Sequence, residues 1–206
     1  MDMRDIALQA TAPTLMVPLF GELDPIQGEG HRFLAARDGL WLDIKREWLE
    51  FRLPLARQQQ VAMPYGMLDS KIEFMFGKLP TTLIQEFVTR AKQVAPDECA
   101  GWIVWDAQLG SFRLVMLENI SAGLEHVTFH RPRLGEHEHL VVDIHSHGTL
   151  KAFFSEEDNL DDAGEVKISV VVGNLDQEKQ TIRARLCAMG MFVVLPTPCL
   201  QSSGGI

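Results

Sequence analysis

Six of the seven histidines fall between His126 and His147, and two of them form His145-Ser146-His147 directly after the apolar run Leu140–Ile144. Residues two apart on a strand point to the same face. Both imidazoles therefore leave one strand end together, a few ångströms apart, as two ligands of one metal ion require. Eight residues after His147 comes Ser155, and then Asp158. The stretch 148–154 can return the chain so that a helix starting near Ser155 faces the two rings. Two imidazoles and one carboxylate make a three-ligand zinc site whose fourth position stays open to water, the layout of a catalytic rather than a structural centre. Each half of the pattern is weak alone. Paired histidines on surface strands are common, and a Ser followed three residues later by an acid is an ordinary helix cap. The cap and the ligand readings are compatible, because a capped helix start is what aims Asp158 at a metal.

The whole string, His145-x-His147, seven further residues, then Ser155-x-x-Asp158, resembles the signature of the JAMM (JAB/MPN) metalloproteases. Glu98-Cys99-Ala100-Gly101, after a helix over 81–95, is similar to that family's Glu-x-x-Gly entry. The resemblance covers about residues 78–195, a usual domain size. It implies Zn2+ held by His145, His147 and Asp158, with Glu98 as general acid/base and Ser155 helping to stabilise the tetrahedral oxyanion. The implied reaction is hydrolysis of a peptide or isopeptide bond by a metal-activated water, with no covalent intermediate. More narrowly, Asp143-Ile144-His145-Ser146-His147 followed by Ala152-Phe153-Phe154-Ser155 resembles the bacterial PRTRC system protein A group, in which a separate N-terminal region precedes the JAMM domain. That group accompanies ThiF-like (E1-like) genes. The implied substrate is a bacterial ubiquitin-like protein, cut at its C-terminal peptide or isopeptide bond, with E1-like and E2-like proteins of the same operon as partners. Gly148 stands where most members carry Pro, which points to a looser loop after the second ligand. The alternatives are a non-catalytic MPN scaffold subunit, or a zinc hydrolase acting on a sulfur-carrier precursor or a small amide.

Other polar groups compete for roles. His137-Glu138-His139 is either a second metal site or, more simply, a solvated loop entering a strand. Asp143 either orients a ligand ring or pairs locally. Glu118, Glu125 and Glu136 rival Glu98 as base, each with solvation as its default. Cys99 reads as a redox-sensitive thiol or as a small buried apolar residue. Of Phe153 and Phe154, one is expected to line a groove and one to anchor the loop.

The elements that must hold these groups follow from periodicity. Leu40, Leu42 and Ile44 alternate with polar neighbours after the turn signal Asp38-Gly39, and Leu49, Phe51, Leu53 and Leu55 alternate again, giving two strands. Pro54 shortens the second or places it at an edge. Residues 57–70 read as a connector, and Ile72, Phe74 and Phe76 as a short strand. Leu83, Ile84, Phe87, Val88, Ala91 and Val94 follow helical spacing and stop before Pro96. Strand-length apolar runs follow at 99–105, 112–117, 140–144, 166–172, 182–186 and 191–195, with a short acidic helix from Ser155. This is an α+β (α/β-like) arrangement, a JAMM/MPN fold in the sense of the resemblance, with a mixed sheet flanked by helices. The expected division is a β-rich N-terminal region at 1–70 that binds substrate or partner, a zinc hydrolase domain at 71–196, and a flexible tail at 197–206.

With 19 Lys+Arg against 28 Asp+Glu, the net charge is −9. That argues against broad nucleic-acid binding and against anionic membrane surfaces. The closing Gly-Gly-Ile resembles the diglycine end of ubiquitin-like proteins, but a flexible tail is the simpler reading. Cys99, Cys187 and Cys199 are neither a disulfide framework nor a four-thiolate zinc site. The N-terminus, with Asp2 and Asp5 and no uninterrupted apolar core, does not read as a secretory signal, and no apolar run reaches the roughly 18 residues that would span a bilayer, so a cytoplasmic protein is expected.

Overall fold

The computed structural model of the chain describes residues 1–58, 60–122, 127–129 and 131–196. The expected tail at 197–206, Cys199, Glu125, His126 and His130 lie outside the described residues. The chain divides into two compact units, Met1–Lys78 and Leu79–Ile206.

The first unit is a five-stranded sheet built from β1 (Thr14–Met16), β2 (Gly30–Ala36), β3 (Gly39–Arg46), β4 (Leu49–Arg57) and β5 (Lys71–Phe74), ordered as numbered. Only β1 and β2 run parallel. The hairpin between β2 and β3 turns on Arg37-Asp38, one residue earlier than the turn signal suggests. Gly39 instead lets β3 approach β4: a Cβ there would stand 2.0 Å from the Ala56 carbonyl oxygen. β4 lies inside the sheet, yet β5 reaches only Leu49–Arg52. Pro54 thus lies beyond the part of β4 that β5 covers, and on the β3 side it pairs with Trp41 beside a register shift between Leu40 and Trp41, an irregular position of the kind that tolerates proline. A helix α1 (Met3–Thr11), capped by the Asp2 carboxylate on the Arg4 N–H, precedes the sheet and buries none of its residues.

The second unit carries α2 (Thr81–Val94), β6 (Ala100–Asp106), β7 (Ser111–Met116), β8 (Asn119–Ala122), β9 (Val127–Phe129), β10 (Glu138–Ser146), α3 (Glu156–Asp162), β11 (Val166–Gly173), β12 (Thr181–Ala188) and β13 (Met191–Val194). Six strands form a mixed sheet in the order β13-β12-β11-β10-β6-β7, in which only β10 and β11 pair in parallel. β8 and β9 form a separate ribbon that the apolar pattern does not announce. The expected α+β class with a mixed sheet and flanking helices is therefore the observed one. α2 buries Ile84, Phe87, Val88 and Ala91. Gly101 makes room for it, since a Cβ there would stand 3.3 Å from Phe87 Cδ2. Gly101 pairs with Ile144, and Trp102 with Asp143. Side chains of successive residues alternate faces, so Asp143 and His145 project from the face opposite α2.

The boundary between units falls after Lys78, eight residues later than the division read from composition. The reason is strand pairing: β5 bonds to β4 and so belongs with the first sheet. Among the described residues no helix is long and apolar enough to cross a membrane.

Candidate metal centre and proton-transfer site

β10 is a central strand, flanked by β6 on one side and β11 on the other, so both of its neighbours fix where it ends. The Ser146 N–H donates to the Cys99 carbonyl (2.9 Å) and the His147 N–H to the Val172 carbonyl (2.8 Å). The fully buried Ser146 hydroxyl accepts the Cys99 N–H at 3.1 Å. His145 and His147 thus leave a rigid strand end toward one side, as their spacing predicts. Their Nε2 atoms lie 3.1 Å apart.

After His147 the chain is pinned to the end of β11. Leu175 N–H donates to the Gly148 carbonyl (3.0 Å) and Asn174 N–H to the Leu150 carbonyl (2.7 Å). The chain then reaches Ser155, which caps α3 in a reciprocal capping box. Ser155 Oγ accepts the Asp158 N–H at 3.0 Å, while Asp158 Oδ2 accepts both the Ser155 N–H and its hydroxyl, each at 2.7 Å. These bonds commit one carboxylate oxygen and fix the rotamer. The other oxygen, Oδ1, faces His145 Nε2 at 3.3 Å.

One donor atom from each of His145, His147 and Asp158 lies within 4.8 Å of the others, the only such metal-type group among the described residues. Three donors each about 2.0–2.2 Å from one tetrahedral zinc ion stand roughly 3.3–3.5 Å apart, close to the separations of 3.1 and 3.3 Å found here. His147 Nδ1 is buried and has no hydrogen-bond partner, so no bond of its own turns that ring away from its neighbour. Burial, and then the charge on His145, lower the His147 pKa. That shift favours the neutral ring, the form that ligates a metal. The donor set fits zinc.

Glu98 lies just before β6. Continuing the register in which His145 opposes Ala100 sets Glu98 opposite His147. Its carboxyl is held above its ordinary pKa, chiefly by desolvation. His147 works against that rise, whereas the carboxylates of Asp158 and Glu157 add to it. All four groups therefore share one electrostatic neighbourhood. The two phenylalanines point to different partners. Phe153 stands edge-on to His147 with ring centroids 4.6 Å apart and is half-exposed, whereas Phe154 lies under the Arg185 guanidinium, 3.8 Å from ring centroid to Cζ.

The rival groups are occupied or apart. Glu138 makes a two-pronged ion pair with Arg113 (2.7 and 2.9 Å) and accepts the Gly135 N–H, which hold its pKa down at about 2. His137-Glu138-His139 does not gather as a second metal group. Asp143 pairs with Lys167 Nζ at 2.7 Å rather than orienting a ligand ring. Glu118 and Glu136 are exposed. Cys99 and Cys187 are buried, and burial is the first cause that pushes both thiols up, Cys187 to about 12. Neither is a reactive thiolate. Ser146 was not singled out by sequence, although its place between two ligands on a central strand was the available signal.

No curated protein matches the chain. The solution structure of protein DSY2949 from Desulfitobacterium hafniense matches at 14% identity, covering 55% of this chain and 86% of that one, with a TM-score of 0.42. Residues 2–75 match a domain of unknown function (DUF2016). Residues 80–187, which hold Glu98, both imidazoles, Ser155 and Asp158, match the family described as prokaryotic homologs of the JAB domain, and the chain belongs to that family.

Proposed function

We propose that the chain is a zinc-dependent metallo-isopeptidase or peptidase that hydrolyses the C-terminal peptide or isopeptide bond of a bacterial ubiquitin-like protein. The observation that carries this reading is the convergence of His145 Nε2, His147 Nε2 and Asp158 Oδ1 beside Glu98. The three converging side chains would hold the ion. Zinc supplies, when bound, a water acidified to a pKa of roughly 7 and polarisation of the scissile carbonyl.

The chain's own residues do the rest. Glu98, a carboxyl with a raised pKa beside the ligands, takes a proton from the attacking water and returns it to the leaving amine. Ser155 first serves as a positioning residue, because its hydroxyl is donated to Asp158 Oδ2. Donation to the developing oxyanion requires that hydroxyl to turn from Asp158. Phe153, half-exposed against the His147 ring, gives the site an apolar wall for an extended substrate segment. The narrower PRTRC resemblance supports a ubiquitin-like substrate activated by E1-like and E2-like partners, with the first unit contributing to its recognition.

Metal analysis of the purified chain and cleavage of a ubiquitin-like fusion test the proposal. Wild-type protein is expected to carry one zinc per chain and to cleave. Glu98→Ala is expected to keep the zinc and lose about 100-fold or more in kcat. Full activity in Glu98→Ala overturns the assigned base. Wild-type protein that takes up no zinc overturns the hydrolase and leaves the MPN scaffold reading.

A further inference from the structure

Helix α3 carries Asp158 but has little reason to form by itself. It is seven residues long, five of them acidic, with no basic residue in its last turn. A helix this short is marginal in water. Asp162 near its C-terminus opposes the helix dipole and repels Asp158 one turn earlier on the same face. No apolar residue of α3 is buried; the buried one is Asp162.

What holds the helix is a cluster of charge rising from the sheet face that also bears His145. Arg185 of β12 donates from Nη2 and Nε to Asp162 Oδ2 (2.7 and 3.2 Å) and from Nη1 to the Asn159 carbonyl oxygen of the side chain. Its guanidinium is clamped between Phe154, at 3.8 Å, and Phe192, at 4.0 Å. Lys167 of β11 reaches the other Asp162 oxygen at 2.8 Å and Asp143 of β10 at 2.7 Å. The side chains of Arg185, Lys167 and Asp162 are 5%, 6% and 4% exposed. One arginine thereby touches the residue before the N-cap, the middle and the last residue of α3, with Asp158 inside that span.

We propose that Arg185, with Asp162 and Lys167, is a positioning device that fixes α3 on the sheet and so sets the placement of Asp158 against the two imidazoles. None of the three belongs to the donor group of His145, His147 and Asp158; they tune metal affinity through the helix. The inference rests on the metal-site reading above and goes beyond it, since the affinity is assigned to residues outside the donor set.

Zinc affinity of the full-length chain, measured by chelator competition, and the visible absorption of its Co2+ form test this. Arg185→Lys keeps a cation for Asp162 but loses the fork to Asn159 and the flat seat between the rings. It is expected to weaken zinc binding about ten-fold and to alter the Co2+ bands. Asn159→Ala leaves every buried charge paired and is expected to weaken binding in the same direction, which keeps the test available should Arg185→Lys not fold. Ile84→Ala, in α2 on the opposite face, lowers the unfolding temperature of the metal-free chain but is expected to leave affinity within about two-fold. Wild-type affinity and spectrum in both Arg185→Lys and Asn159→Ala overturn the positioning role alone. So does an equal loss in Ile84→Ala at matched stability. Wild-type protein that binds neither ion overturns the metal reading and this inference with it.

Discussion

Gly148 shows how one residue sets the site's rigidity. Its φ is +53°, and a Cβ placed on it would stand 2.3 Å from the Pro96 carbonyl oxygen. A proline, locked near −65°, cannot occupy that conformation. The glycine therefore does not loosen the turn after the second imidazole, as its replacement of the family's usual proline suggests. It lets the turn close against the segment that leads into Glu98, while the Gly148 carbonyl is held by Leu175. Gly148→Ala meets both a disfavoured backbone and a backbone clash that no rotamer relieves. The expected loss is about 2 kcal/mol or more, read as a lower denaturant midpoint at unchanged slope. Unfolding at the wild-type midpoint would show that the turn relaxes freely and that the close approach to Pro96 constrains nothing. The same economy of position appears at Asp158, where Ser155 occupies one carboxylate oxygen and leaves the other for the imidazoles.

At the scale of elements, α3 and the strands beneath it respond to pH through Asp162. Burial raises its pKa, but the bonds from Lys167 and Arg185 outweigh that and the net shift is downward. A carboxylate whose folded pKa is depressed contributes stability that is fully present above its unfolded value, about 3.9, and lost as pH falls through the folded value. Wild-type stability is therefore expected to fall more steeply below about pH 4 than that of Asp162→Asn, which has no such proton to take up. Parallel acid curves for the two, measured by thermal unfolding of metal-free protein, would remove Asp162 from the linkage. This device was illegible in sequence. Lys167 and Arg185 lie 24 and 23 positions from the partners they meet in Asp143 and Asp162, and on paper they are strand cations like any other. The convergence of the candidate donors was legible because its signals are local: strand parity for His145 and His147, a capping box for Ser155 and Asp158. The helix α2 and the strands β3, β4, β6, β7 and β10 to β13 were legible for the same reason. α1 is absent from the sequence reading although Met3, Ile6, Ala7 and Ala10 recur at helical spacing after the Asp2 cap, and its apolar side is left unburied.

Over the whole molecule, the division into units and the distribution of charge both needed the three-dimensional arrangement. The strand at 71–74 has the right pattern for either unit, and pairing to β4 decides it. Likewise the stretch from Leu134 to Glu165 holds nine acids against Lys151 alone, which reads as one solvated acidic face. The structure divides them. Glu138 is tied to Arg113, Asp143 to Lys167, and Asp162 to Lys167 and Arg185, while Asp158 gathers with His145 and His147. The exposed acids of α3 are Glu156, Glu157 and Asp161. They add negative charge to the helix that carries Asp158, on a chain already at −9. Such a field accelerates encounter with a substrate that is basic around its scissile end and slows one that is acidic. For a basic ubiquitin-like substrate, kcat/KM is expected to fall several-fold as ionic strength rises from about 0.05 M to about 0.5 M and the screening length shortens to a few ångströms. Because steering acts on encounter, kcat should stay level. Glu156→Lys, which lies in the first turn of α3 outside the ligand set, should lower kcat/KM at low salt and flatten its dependence. A salt-independent kcat/KM for such a substrate, or a Glu156→Lys variant with the wild-type salt profile, would mean that the acidic face of α3 plays no part in choosing the partner.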